Sequence, residues 1–493
     1  NVNNSSFDDF NNYAISNFLT NQSFRLNFEN NYFGDATGPY HEILNPDGQG
    51  ERIIGNIDFK PYLESNPFEK CISDCVSNII FIPGMQGSRL YEQNGNKDRE
   101  LWFSIKDSYH KSLFLDEEGK SLNTIYTKND TRNNGEAKET GIVDEAIFFF
   151  FFYDSFINEL RNLKSEKIIN DYSLIPYDWR LSLEDIIRNG KTFGDKNQNL
   201  SYLEPQAFDE SFIYQELSKL AKSSKNGKVS IIAHSNGGLV TKALLQKLKD
   251  TENPLYDKID KIFLVAVPQI GTPEAMIALL YGTGIGPMQL IMDKDISRGL
   301  ADNMPTAYNL IPRQSYFDLV PQDKKENRLI NFIDHQDLKD AVEKYGLEID
   351  KLNELEEYLL GEEGREKPDI YDLKKANTLN INLYNNAKEV YQMLDTWQPG
   401  DNMRVIQVGG WGMETKIGLD YKEYKNILLG KYLSYKVRET VNGDGTVVLP
   451  SALYMNESTN VEKRLVDLLE YRSFSGKILP IKHADILEIP QLL

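Results

Sequence analysis

Val229-Ser230-Ile231-Ile232-Ala233-His234-Ser235-Asn236-Gly237-Gly238 is an apolar run that stops abruptly at a serine set among small residues. Leu239, Val240, Ala243, Leu244 and Leu248 follow at helical spacing. The stretch reads as strand, sharp turn and helix, with Ser235 at the tip of the turn. Such a turn presses backbone against backbone, so the positions two before and two after the serine must be small, and here they are Ala233 and Gly237. Roughly one chain in three of this length carries small-x-Ser-x-Gly by chance. The strand before and the helix after therefore carry the reading.

A serine hydroxyl is a poor nucleophile until a base takes its proton, and the base needs a group that holds its tautomer. Where the serine sits on a nucleophile elbow, the acid and then the histidine follow it in the chain. Of the five histidines, His41 and His110 precede Ser235. His234 adjoins it and is read as a core residue, because in an elbow the preceding side chain points away from the reacting face. Two remain downstream. His335, in the charged, helix-like Asp334-His335-Gln336-Asp337, is read as a solvated surface residue. His483, after Ile478-Leu479-Pro480-Ile481 and before Ala484-Asp485-Ile486-Leu487, is read as a loop histidine following a last strand. For the acid, Asn442-Gly443-Asp444-Gly445-Thr446-Val447-Val448 offers Asp444 in a glycine-flanked turn beside a β-prone segment. A calcium loop there would need an acid at Thr440 and a glutamate at Ser451.

Five stretches now share one order and approximate spacing: Phe81-Ile82-Pro83-Gly84-Met85-Gln86-Gly87-Ser88-Arg89-Leu90, Pro176-Tyr177-Asp178-Trp179-Arg180, Ala233 to Gly238, Gly443 to Thr446, and Lys482 to Leu487. In this, residues 77–493 resemble the lecithin:cholesterol acyltransferase-like enzymes. The resemblance implies an α/β-hydrolase fold with a mostly parallel sheet, a Ser235, Asp444, His483 triad, and acyl transfer from a lipid ester to water or an alcohol. It implies oxyanion donors at the backbone N–H groups of Met85 and Asn236, with Gly84, Tyr177, Asp178, Arg180 and Gly237 supporting the pocket. Asp178 and Arg180 either pair with each other or brace nearby loops. Two departures stand out. Ala233 replaces the first elbow glycine, and the lid disulfide of the animal enzymes has no counterpart, since Cys71 and Cys75 both precede the first hydrolase strand.

Net charge is −19, from 55 basic and 74 acidic side chains, which argues against a nucleic-acid partner and against electrostatic docking on anionic membranes. Neither a phosphate-cradling glycine loop nor zinc-type Cys/His spacing occurs, so no metal or cofactor is expected. The longest apolar stretches are 146–153, with five consecutive phenylalanines, and 276–292, interrupted by glycines and Pro287; a membrane helix wants about 20 apolar residues. The phenylalanine run is read as packing.

Length gives a prior of two to four domains. Expected strands are 78–82, 172–177, 229–233, 261–267 and 403–408, alternating with helices as a covered parallel sheet requires. Asp154 is expected to cap a helix carrying Phe156, Leu160 and Leu163, and 212–220 to form the helix before the elbow strand. A helical cap is expected within 271–399, where charged, helix-like segments such as 339–360 appear, and a lid loop at about 95–140. Met276, Ile277, Leu279, Leu280, Tyr281, Met288, Leu290, Ile291 and Met292 are either cap packing or an acyl groove. Residues 1–65, with Asn30 to His41, Asn45 to Gly50 and Asn56 to Leu63, resemble the closing segment of a bacterial right-handed parallel β-helix, joined to the hydrolase by a linker at 66–76. One coil cannot bury a core, so further coils are expected upstream, in a mature or excised piece of a longer protein. That resemblance implies a bacterial extracellular or cell-surface location. Cys71 and Cys75 are either a local disulfide or free thiols.

The functional expectation is a serine lipid acyl hydrolase or O-acyltransferase, a phospholipase or acyltransferase whose acyl-ester substrate sits at a membrane or lipid surface. Two alternatives are a small-ester or thioester hydrolase, separable by chain-length preference, and a non-catalytic surface binding module on a hydrolase scaffold.

Overall fold

The computed structural model describes residues 15–17, 26–64, 76–95, 97–132, 141–146, 150–151, 153–283, 292–322, 324–361, 379–426, 430–469 and 482–489. Cys71, Cys75, Ile478 to Ile481, Met288, Leu290, Ile291 and part of the phenylalanine run lie outside them. The chain divides into two compact units, Asn1–Cys75 and Val76–Leu493.

In the first unit, Ile15–Asn17 and Pro39–Tyr40 both pair in parallel with Gly50–Gly55, and Leu26–Asn27 pairs in parallel with Ile57–Asp58. Phe33, Ile53, Ile57 and Phe59 bury a small core beneath these ladders.

The second unit is built on six strands, β1 (Asn78–Ile82), β2 (Tyr172–Leu174), β3 (Val229–His234), β4 (Ile259–Val265), β5 (Arg404–Trp411) and, at the far edge, Val461–Asp467. They lie in the order β2-β1-β3-β4-β5 and then the edge strand, and every neighbouring pair is parallel. β3 sits inside the sheet, so its side chains are covered on both faces, which is why it reads as an apolar run rather than an alternation. Two strands end earlier than the sequence suggests. β2 stops at Leu174, before Pro176, which has no N–H to continue a ladder. β4 stops at Val265 because Ala266 turns to φ 53 and swings the chain out of the sheet.

Helices α1 (Asp154–Ser165), α2 (Phe212–Ser223) and α3 (Asn236–Asp250) cover the sheet. Leu239, Leu244 and Leu248 of α3 are fully buried, contributing about 2 kcal/mol each. Asp154 does not cap α1: it is the first helical residue, and the cap position is Tyr153. The helix instead gives the Ser155 N–H to the Glu488 carboxylate, an acceptor brought in from the end of the chain.

Between β4 and β5 the described chain is mainly helical, including Pro273–Tyr281, Lys294–Ala301, Leu352–Leu360 and Ile381–Thr396. Met276, Ile277, Leu279, Leu280, Tyr281 and Met292 are buried in the main apolar cluster. Within the segment expected as a lid loop, Lys97–Trp102 and Ile125–Lys128 join Leu90–Asn94, Lys191–Phe193 and Asn199–Ser201 in one five-stranded antiparallel sheet, and the stretch between the two carries the short helix Asp107–Lys111. His335 is half-buried, its Nδ1 accepting the Asp337 N–H to start a short turn.

Lys242 is an unexpected core residue. It is fully buried on α3 and donates to the Leu394 carbonyl at 3.0 Å, with its ammonium 5.9 Å from the Trp397 ring. Burial, reinforced by Arg313 and opposed by Asp395, lowers its pKa from the ordinary 10.5 to about 7. Between those two values the unfolded chain holds a proton that the folded chain lacks, so this group makes the fold more stable as pH rises through that window. Lys242→Met is therefore expected to stabilise the protein most below about pH 7, by a few kcal/mol, with the gain fading toward about pH 10. Denaturant melts of variant and wild type across that range check this; a difference independent of pH refutes it.

Candidate active site

Ser235 caps the N-terminus of α3 with φ 52 and ψ −127, a backbone conformation that a non-glycine residue holds only when its surroundings enforce it. Its N–H donates to the Val265 carbonyl at 2.9 Å, pinning the turn to β4. The crossing leaves no room at its second flank, where a Cβ on Gly237 would lie 2.3 Å from the Ile82 carbonyl oxygen. Gly84 is equally constrained by a close approach: a Cβ there would meet the Ser235 Cβ at 2.9 Å. The loop after β1 thus runs directly over the elbow and carries Met85 beside it.

The structure brings Ser235, Asp444 and His483 together. The Ser235 Oγ–H donates to His483 Nε2 at 2.8 Å, and His483 Nδ1–H donates to Asp444 Oδ2 at 2.8 Å. A carboxylate only accepts, so Asp444 places the proton on Nδ1 and leaves Nε2 free to accept. Asp444 is buried, and its Oδ1 accepts the N–H groups of Thr446 and Val447. The two loops are also joined through backbone, the His483 N–H donating to the Asp444 carbonyl at 2.8 Å.

Met85 and Asn236 flank Ser235, one on the loop after β1 and one at the start of α3. Neither of their backbone N–H groups has a hydrogen-bond partner among the described residues. Tyr177 braces this region, its hydroxyl donating to the Pro83 carbonyl at 2.8 Å and accepting from the Asn236 side chain at 3.3 Å. Asp178 and Arg180 form a buried bidentate pair at 2.9 and 2.6 Å. The remaining donors of Arg180 reach the Leu113 carbonyl and the Ser121 hydroxyl. This pair therefore ties the 113–121 segment to the strand end beside the elbow, and it does not reach Ser235.

One part of the site was not visible in the sequence. The Gly84 N–H donates to the Tyr153 hydroxyl at 3.1 Å, Tyr153 donates to His234 Nδ1 at 2.8 Å, and His234 Nε2–H donates to the His483 carbonyl at 2.9 Å. Burial raises the Tyr153 pKa and pushes that of His234 well below the ordinary range, so both stay neutral and the donor order is fixed. The chain of bonds links the loop after β1 to the loop that carries His483. Only the position of His234 next to the serine hinted at it; Tyr153 sits at the end of the phenylalanine run with no motif around it. Tyr153→Phe leaves the Gly84 N–H and His234 Nδ1 unpaired in a buried place. It is expected to lower kcat about 10- to 100-fold on a soluble ester with little change in KM, measured by steady-state kinetics. An unchanged kcat refutes the coupling.

An all-parallel sheet, a strained serine between strand and helix, and acid and histidine loops meeting at the strand ends define an α/β-hydrolase. Residues 152–473 match the lecithin:cholesterol acyltransferase family, to which this chain belongs. It is accordingly a lipid acyl-ester hydrolase or acyltransferase in class. A solved chain of the Tle4-Tli4 complex shares the fold at a TM-score of 0.50 and 11% identity, over 84% of this chain and 95% of that one. EstA from Clostridium botulinum aligns over 85% of both chains at 12% identity and a TM-score of 0.28. No curated protein matches the sequence. Among the described residues no helix is long and apolar enough to cross a membrane.

Proposed function

We propose that the chain is a serine-dependent lipid acyl hydrolase or O-acyltransferase working through an acyl-serine. The supporting observation is the unbroken line of 2.8 Å hydrogen bonds from Ser235 through His483 to Asp444. Ser235 Oγ attacks the ester carbonyl while His483 Nε2 takes its proton, and Asp444 stabilises the imidazolium so formed. The negative charge that develops on the carbonyl oxygen is met by the unpaired N–H groups of Met85 and Asn236. Collapse expels the alcohol, which takes the proton back from Nε2–H, and leaves the acyl chain on Ser235. Water or a second alcohol then attacks the acyl-serine, giving its proton to Nε2, and collapse restores the free serine. We further read the parallel ladders of residues 15–58 as the end of a β-helix from an exported bacterial protein.

The test is incubation with phospholipid vesicles, with and without a long-chain alcohol or sterol, and resolution of the products by mass. Free fatty acid and lysolipid, unaffected by the alcohol, mark a phospholipase, and a new ester marks an acyltransferase. Absence of any Ser235-dependent product refutes the lipid reading.

A further inference from the structure

A cavity of about 810 Å³ opens between the segment 118–124, the helices Leu183–Arg188, Pro305–Asn309 and Ile381–Thr396, and residues 202–205. None of Ser235, Asp444, His483, Met85 or Asn236 lines it, so it is separate from the site already described. Its volume lies within the range of roughly 300–1,000 Å³ in which proteins hold ligands. The walls are fixed by bonds between distant parts of the chain. Asn380 Nδ2 donates to the Glu117 carbonyl at 2.6 Å, Thr306 Oγ1 to the Leu181 carbonyl at 2.6 Å, and Arg180 Nη2 to the Ser121 hydroxyl at 3.0 Å. Gly119, at φ 75, lets the segment close on Pro305, whose Cγ would lie 2.5 Å from a Cβ there. A ligand entering such a groove does not have to order it first.

The lining has three chemical parts. Asn309 is only 3% exposed, yet its side-chain amide makes no hydrogen bond among the described residues. Buried amides are ordinarily paired, so this one awaits a partner from the cavity. Asn189 adds a second open acceptor, since its Nδ2 donates to the Tyr202 carbonyl at 2.9 Å and its Oδ1 is left over. Leu181, Leu183, Leu383 and Ala387 give buried apolar walls, while Leu122 and Leu203 also line the cavity at 61% and 36% exposed. Four exposed carboxylates, Glu118, Glu184, Asp185 and Glu389, complete the lining against the single ammonium of Lys120. Glu184 is shared with Arg188 and Lys247 at 3.4 and 3.7 Å, and Glu118 lies 4.0 Å from Lys120. Asp185 and Glu389 have no ion pair among the described residues.

We propose that this groove binds an extended basic segment of a partner protein. An asparagine amide offers one donor and one acceptor side by side, and a residue of an extended chain turns its own C=O and N–H to the same side, so the two pair in register. Aliphatic side chains of the segment pack on the leucine walls, and its lysine or arginine side chains reach the carboxylates. Phosphate headgroups are repelled by the same carboxylates, and a sugar leaves the exposed leucines uncovered. The proposal stands apart from the acyl reading, and its test uses no turnover.

Fluorescence anisotropy of a labelled, end-blocked hexapeptide alternating lysine and leucine, titrated with the full chain, measures it. The wild type is expected to bind this peptide saturably, and about tenfold more tightly than the same peptide with glutamate in place of lysine. Asn309→Leu, which removes the amide at similar size, and separately the double change Glu118→Gln with Glu389→Gln, are each expected to weaken binding about tenfold. Thermal melts report whether each variant keeps its fold, and the double change, confined to exposed side chains, carries the test if Asn309→Leu does not fold. No saturable binding by the wild type, equal binding of the glutamate peptide, or wild-type affinity in either folded variant overturns the proposal. So does Asn309-dependent binding of glucose or decylamine in place of the peptide, which would assign the cavity to a sugar or a lipid amine.

Discussion

Ser235→Ala is expected to lower turnover of any accepted ester by a factor on the order of 10⁵ to 10⁶ while leaving the thermal melt unchanged. The two halves of that statement have separate causes. Alanine keeps the Cβ of serine, so the backbone at φ 52 remains as strained as before, and the contacts that enforce it, the Val265 carbonyl and the crowded Gly84 and Gly237 crossings, are untouched. What disappears is the hydroxyl that His483 accepts from and that would carry the acyl group. The Met85 and Asn236 N–H groups proposed to meet the oxyanion stay, so a residual rate above that of water is expected. Activity within tenfold of wild type would remove Ser235 from the chemistry and refute the acyl-serine mechanism.

Asp444→Asn is expected to lower kcat by about 10⁴. The hydrogen bonds around the carboxylate dictate how the amide would sit. Oδ1 accepts the N–H groups of Thr446 and Val447, so the amide oxygen takes that place and the NH₂ turns toward His483. Nδ1 must then accept, the imidazole proton moves to Nε2, and the histidine points a donor at Ser235 where an acceptor is needed. The rate measured against pH, with folding followed by circular dichroism, separates this from simple unfolding. A loss under tenfold would mean that some other group sets the histidine tautomer.

The elbow was legible because it is local. Strand, serine and small flanking residues fall within ten positions, and the steric demands of a tight turn act between neighbours in the chain. Asp444 and His483 followed from chain order and from turn residues around them, and the structure places both at 2.8 Å contacts in one line with Ser235. The strand ends were less legible, since what stops β4 is the positive φ of Ala266, a residue with no turn signature of its own. The antiparallel ribbon of Thr415–Asn426 and Gly430–Thr440 was less legible still, because its Lys- and Tyr-rich strands pair with each other instead of packing into the parallel sheet.

By itself, the order of residues determined the hydrolase class, the candidate nucleophile and its candidate partners. Those depend on short-range sterics and on a sequence of motifs that survives without coordinates. Only the tertiary structure decided what holds those groups in place: Tyr153 joined to His234 across 81 positions, His234 to the His483 carbonyl across 249, and Glu488 closing α1 from 333 positions away. A lone tyrosine, histidine or glutamate carries no local pattern that names its partner. Such pairings are set by which loops the sheet brings to one end, and that is fixed only when the chain has closed around its core.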